Sequence, residues 1–247
     1  MKDKADLGLK TFSWIQCIGI LLASLSFSIS RTAFSMCSDS LLPKKTQVEQ
    51  LVERHLSNME DLFAQLVRIH PIATSEYVFV GRSPALLSGL SDAQKEMFPN
   101  LRSWVLPISL THEPQISRAE LNQRFLDLFN QYRDLPAGRN LVFVDFILEG
   151  RTFTSLDRLL VDSNLEGSYV GFSHGPIPKK LDRLAHPFHQ IQISMEVENS
   201  VGELKVLAPY AKHSIGSSDY APTDSDPQSP SKAYQQTVSK IKADLFL

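Results

Sequence analysis

Cysteine is nearly missing from this sequence: Cys17 and Cys37 are the only two in 247 residues. That scarcity excludes a disulfide framework and a zinc site built from four thiolates. An excess of positive charge is missing too. Lys and Arg number 25 against 27 Asp and Glu, a formal charge of −2. The basic footprint of a nonspecific nucleic-acid binder is therefore absent, and no nucleic-acid partner is expected. Internal repeats and heptad runs are also lacking, which sets aside solenoids and coiled coils. With 43% hydrophobic and 21% charged residues, the chain is neither a disordered polyelectrolyte nor a multi-span membrane protein. One domain of ordinary to large size fits the length, and it would bury roughly 70–75% of its unfolded surface.

The first positive feature is N-terminal. Lys2, Lys4 and Lys10 precede an uncharged stretch from Thr11 to Ser30, and Arg31 closes it. About 20 apolar residues suffice for a bilayer-spanning helix. Here Ser13, Gln16, Ser24, Ser26, Ser28 and Ser30 dilute the run, and its apolar centre, Trp14 to Phe27, is nearer the length of a signal-peptide core. Ala33 and Ser35 supply small residues at the −3 and −1 positions of a cut before Met36. Residues 1–35 thus read as a cleaved signal peptide, with an uncleaved membrane anchor or a buried helix as alternatives. The first makes the protein secreted or periplasmic, and the second ties it to a membrane. Cleavage would also remove Cys17 and leave one thiol. The residues before Cys37 lack a lipoprotein pattern.

The soluble part begins after Leu42-Pro43-Lys44-Lys45. Thr46 to Ile69 spaces Val48, Leu51, Val52, Leu56, Met59, Leu62, Phe63, Leu66 and Val67 at helical intervals. Thr46 with Glu49 three residues on is a capping-box signature. Five apolar runs too short for helices follow: Tyr77–Val80, Trp104–Leu106, Leu141–Phe146, Tyr169–Phe172 and Ile191–Met195. Helical patterns lie between several of them, clearest at Ser117–Tyr132 and Phe153–Val161. The alternation predicts an α/β domain over residues 46–213, with a mostly parallel five-stranded sheet and helices on both faces. Residues 214–231, rich in Ser, Asp and Pro, read as a flexible linker, and residues 232–247 as a C-terminal helix.

In such sheets ligands bind beyond the carboxyl ends of the strands. Two strand ends stand out. Tyr77–Val80 runs into Gly81-Arg82-Ser83-Pro84. Leu141–Val144 runs into Asp145-Phe146-Ile147-Leu148-Glu149-Gly150-Arg151-Thr152. A strand, a glycine loop and a helix N-terminus present backbone N–H donors suited to phosphate, and Arg82, Arg151 and Thr152 add side-chain donors. Two such loops suggest a ligand with phosphates at both ends, although either alone also reads as an ordinary strand-to-helix turn.

Together the loops resemble the type I phosphoribosyltransferases, whose signature is an apolar strand, two acidic residues, three variable positions and a Thr-Gly-x-Thr phosphate loop. Aligned on Gly150, this sequence matches at the second acidic position (Asp145), the glycine and the final Thr152, and the resemblance covers roughly Glu76 to Met195. It implies a small phosphorylated ligand with Mg²⁺. Glu149, Gly150, Arg151 and Thr152 would line the 5′-phosphate of phosphoribosyl pyrophosphate, Asp145 would lie beneath the ribose, and Gly81, Arg82 and Ser83 would face the pyrophosphate. Pro107–Ser117 would take the place of a mobile closing loop. Val144 replaces the first carboxylate. Glu149 replaces a threonine, and its charge opposes phosphate unless Arg151 or a proton offsets it. The implied activity is phosphoribosyl transfer, or binding of such a ligand without turnover in an exported interaction protein.

A rival lies in Gly171-Phe172-Ser173-His174-Gly175, the G-x-S-x-G of a nucleophile elbow. It would make a secreted serine hydrolase of Ser173, with Asp182 and one of His186, His189 or His213 as partners. Pro176 and Pro178 crowd the helix that must follow the serine. His186 and His189 offer a metal-pair spacing without further ligands, so a structural role is expected. No protein metal ligand is assigned. Tyr210-Ala211-Lys212-His213 could recognise an acceptor base by stacking.

Overall fold

Thr46 and Glu49 start the first helix as their spacing predicts. Thr46 Oγ1 accepts the Glu49 N–H at 3.3 Å, while Glu49 Oε2 accepts the Thr46 N–H at 2.6 Å. Helix α1 (Gln47–Ile69) follows, burying Val52, Leu56, Met59 and Leu66 on one stripe. The computed structural model describes residues 45–110, 114–133, 138–210, 213–220 and 230–246. The signal or anchor segment, residues 1–35, lies outside them. Among the described residues no helix is long and apolar enough to cross a membrane.

The apolar runs become strands β1 (Ser75–Val80), β2 (Arg102–Leu106), β3 (Asn140–Phe146), β4 (Ser168–Ser173) and β5 (Phe188–Gln192). They form one sheet in the order β2-β1-β3-β4-β5, and every neighbouring pair is parallel. All residues of β1 and β4 are buried, which requires cover on both faces and accounts for runs that are apolar without alternation. One face carries α1, α2 (Ala85–Gln94), α5 (Met195–Leu204) and α6 (Lys232–Phe246), packed on Tyr77, Phe79, Val142, Val144 and Phe172. The other carries α3 (Arg118–Tyr132) and α4 (Arg151–Asp162), packed on Val78, Val80, Phe143 and Tyr169. The expected α/β architecture is thus present, with a sheet that is parallel throughout.

Two boundaries differ from the sequence expectation. The run Ile191–Met195 does not delimit the fifth strand, which ends at Gln192. Ser194 caps α5 instead, its Oγ accepting the Val197 N–H at 3.3 Å, so Met195 opens a helix. The stretch read as a linker from residue 214 is anchored in its first part. Ile215 is fully buried, and the Arg124 guanidinium donates to the carbonyls of Ile215 and Ser217 at 3.2 and 2.7 Å. Backbone carbonyls do this anchoring, and they leave no mark in composition. Residues 221–229 lie outside the described residues. Beyond them, α6 buries Tyr234 and Ile241, and Gly89 of α2 leaves room for Thr237. Lys45–Leu247 is one compact unit, so α6 belongs to the domain.

Candidate functional site

In this strand order the chain leaves β1 toward one edge of the sheet and leaves β3 toward the other. Such a reversal opens a crevice between the carboxyl ends of β1 and β3. The two glycine loops stand on either side of it. Gly81 and Gly150 have φ of +72° and +70°, a left-handed conformation that glycine adopts without strain. Both positions are also crowded. A Cβ at Gly81 would lie 3.3 Å from the Ile108 carbonyl oxygen, and one at Gly150 would lie 3.0 Å from the Leu181 side chain. The Gly81 amide donates to the Leu106 carbonyl at 2.8 Å, which fixes that loop to β2. Gly150 is the N-cap of α4.

Helix capping separates these two loops from the rest of the fold. Thr46, Ser117 and Ser194 cap α1, α3 and α5 with side-chain oxygens, and each of those helices has an acidic residue in its first turn. The Ser231 hydroxyl accepts the Tyr234 N–H at 3.2 Å at the start of α6. By contrast α2, which follows Pro84, and α4, which follows Gly150, have no side-chain cap and no first-turn acid. The Ala85 N–H at the start of α2 donates to the Arg82 carbonyl at 3.3 Å, but no side chain occupies the remaining first-turn N–H groups or the positive dipole end of either helix, which suits them to an anion.

The side chains of the two loops differ in their engagement. Arg82 is exposed and Ser83 half-buried, and neither side chain makes a hydrogen bond or ion pair among the described residues. Arg151 Nε pairs with Glu149 Oε2 at 2.6 Å, both chains being well exposed. An exposed pair of this kind holds weakly, so the arginine can be drawn to a ligand. Thr152 is half-buried in the first turn of α4. Asp145 is buried near the end of β3 and accepts the Phe146 N–H at 2.8 Å. Val144 points to the opposite face and is fully buried in the apolar core.

Among the described residues no three His, Cys, Asp or Glu side chains converge as metal ligands. Asp145 and Glu149 are the carboxylates of the two loops. That donor set fits Mg²⁺ only as an ion carried chiefly by a ligand's phosphates with one or two carboxylates in support. The loop expected to close over the site is tied down where it is described. Ser109 N–H donates to the His213 carbonyl and His213 N–H to the Pro107 carbonyl, both at 2.7 Å, and Gln115 N–H to the Gly216 carbonyl at 2.8 Å. Residues 111–113 lie outside the described residues.

The G-x-S-x-G segment has a different geometry from a nucleophile elbow. Ser173 is the last residue of β4, and the next element is a short 3₁₀ turn, Lys179–Arg183, rather than a helix. The Ser173 hydroxyl donates to the Gly175 carbonyl at 3.3 Å and accepts from Gln190 Nε2 at 2.7 Å. Gly171 is there for packing: a Cβ would fall 2.2 Å from Ile147 Cδ1. The nominated partners lie elsewhere. Asp182 is exposed on the 3₁₀ turn, His186 binds Asp157 at 2.7 Å, His189 meets the His70 ring at 5.2 Å, and His213 sits beside Ile108. His186 and His189 are thus engaged with different neighbours. Tyr210 stands beside Tyr132, not on either glycine loop.

The cap asymmetry was readable in the sequence as Thr46…Glu49 and Ser117…Glu120 against Pro84 and Gly150, but it carries meaning only once the strand order is known. No protein-family model, no curated protein and no solved structure matches the chain.

Proposed function

We propose that this protein binds a phosphorylated pentose, of the phosphoribosyl pyrophosphate or nucleotide type, in the crevice between the carboxyl ends of β1 and β3. One observation carries the reading. The two helices that enter from the flanking loops, α2 and α4, lack the side-chain cap and first-turn acid of α1, α3 and α5. Orphan N–H groups at two helix starts suit a ligand with negative charge at both ends. Arg82 and Ser83 would meet one phosphate group, and Gly150, Arg151 and Thr152 the other. Asp145 would face the sugar between them. In a transfer reaction its charge would stabilise the cation that develops on the ribosyl carbon as pyrophosphate leaves. Bound Mg²⁺ would neutralise the departing pyrophosphate. Val144 and Glu149 stand in place of two expected polar contacts, so the residues present supply more for holding the ligand than for turning it over.

Calorimetric titration with phosphoribosyl pyrophosphate and with adenosine monophosphate, each with Mg²⁺, tests the reading. Saturable binding by at least one ligand, weakened tenfold or more in Arg82→Ala, is expected. Absence of binding by both ligands, or binding indifferent to Arg82→Ala, removes it.

A further inference from the structure

A cavity lies away from the two glycine loops, at the β2 edge of the sheet. Its volume is about 210 Å³, and its lining includes Asp92, Lys95, Trp104, Tyr132, Tyr210 and Tyr234. None of the residues assigned to the phosphate crevice takes part. Pockets for drug-sized ligands start at about 300 Å³, so this one suits a single ring or a compact bicycle.

Charge and aromatic geometry narrow the class. Lys95 Nζ binds Asp92 Oδ1 at 2.6 Å and the Ser103 carbonyl at 2.9 Å. The Tyr234 hydroxyl donates to Asp92 Oδ2. The two charges therefore cancel and are already engaged, which leaves no net field to attract an ion. The rings of Tyr132 and Tyr210 stand 5.3 Å apart at 65°, two walls of a corner. A flat ring placed there meets one wall face to face and the other edge-on, the two favourable aromatic arrangements. Neither tyrosine hydroxyl makes a hydrogen bond among the described residues. Burial raises both phenols above their ordinary pKa, so at neutral pH each keeps its proton and can donate or accept.

We infer that this cleft is a binding site for a small, neutral, planar ring carrying a hydrogen-bonding group, such as a phenol, an indole or an unsubstituted nucleobase. The site does not depend on the phosphate crevice. It joins β2, α2 and the segment before α6: Ser231 N–H donates to the Pro209 carbonyl at 2.8 Å and Ser231 Oγ to the Ala208 carbonyl at 2.9 Å. A ring in the cleft therefore touches the elements that seat α6.

Trp104 on the lining supplies the readout, and the only other tryptophan is Trp14. In a full-length Trp14→Phe background, the emission of Trp104 is titrated with indole-free probes: phenol, adenine, and cyclohexanol as a non-planar control. Expected is a saturable change with phenol or adenine at low millimolar concentration or below, at least tenfold weaker with cyclohexanol. Tyr210→Ala should weaken that response at least tenfold, and Tyr210→Phe, which keeps the ring and loses only the hydroxyl, less. Circular dichroism establishes that both variants are folded; for a variant that is not, Tyr132→Phe and Tyr132→Leu make the same comparison. No saturable response to phenol or adenine up to 10 mM, on the order of the weakest specific affinities, overturns the inference. So does an equal response to cyclohexanol, or one that persists unchanged in the ring-deleting variant.

Discussion

Single residues decide what the crevice can hold. Glu149 puts a carboxylate beside an otherwise anion-ready helix start, and its pair with Arg151 at 2.6 Å uses the charge that a phosphate would want. Glu149→Thr removes the repulsion, frees Arg151 and restores a hydroxyl donor. Binding of phosphoribosyl pyrophosphate in the presence of Mg²⁺ should tighten by roughly 1–3 kcal/mol. Equal binding by wild type and variant in calorimetry would show that Glu149 does not face the ligand. Histidines set a second residue-scale property. His55 is buried with neither ring nitrogen hydrogen-bonded, and burial holds its imidazole, like those of His70 and His213, below the ordinary histidine range. Arg54 beside His55 and His189 beside His70 act in the same direction. The unfolded chain then binds more protons than the folded one below about pH 6.5. This contribution to stability is complete above that pH and is lost as pH falls toward the lower folded values. Urea midpoints should drop between pH 7.5 and 5.5, above the range where carboxylates titrate. His55→Leu should flatten that dependence, and an unchanged slope would clear His55 of responsibility.

At the scale of elements, caps and glycines divide into those that hold the fold and those that shape the site. Thr46 and Glu49 satisfy each other's backbone at the start of α1, so Thr46→Ala should cost about 1 kcal/mol with ligand affinity untouched. Gly171 belongs to the same structural class. Ile147 lies where its Cβ would be, with Cδ1 at 2.2 Å and Cγ1 at 2.6 Å, and Phe153 is 3.1 Å away. Gly171→Ala should therefore overpack the joint between β3, β4 and α4 at a cost of about 1–3 kcal/mol, measured by denaturant unfolding. A neutral result would mean that Ile147 has a second rotamer ready. The first glycine of the G-x-S-x-G pattern is in this way accounted for by packing without a nucleophile, while Gly175 has open space around it. Gly150 combines the two classes, since its left-handed backbone aims α4 at the crevice while its missing side chain admits Leu181.

For the whole molecule, the sheet was the most legible feature. Strands such as Tyr77–Val80 and Leu141–Val144 are buried on both faces and leave an uninterrupted apolar mark. The strand order was not written in any residue. It follows from which crossovers turn back, and the meaning of Gly81 and Gly150 as neighbours follows from it. The aromatic cleft was illegible for a similar reason, because Asp92, Tyr132, Tyr210 and Tyr234 share no local pattern. Composition misled most near residue 214, where Ser, Asp and Pro concealed an anchored segment; the helix after it was legible in its spacing, but its place in the core was not. Ile241 is fully buried, and α6 packs on both α1 and α2. If α6 were an appendage, its loss would leave the sheet intact and unfolding would show a separate early step. Its burial predicts the opposite: a single cooperative transition for the domain, and a cost of about 2–5 kcal/mol for Ile241→Ala. In the full-length Trp14→Phe background, thermal unfolding followed at Trp104 by fluorescence and by far-ultraviolet circular dichroism should give coincident curves and shift together when Ile241→Ala is added. Separation of the two probes would show that α6 unfolds by itself and that the core closes without it.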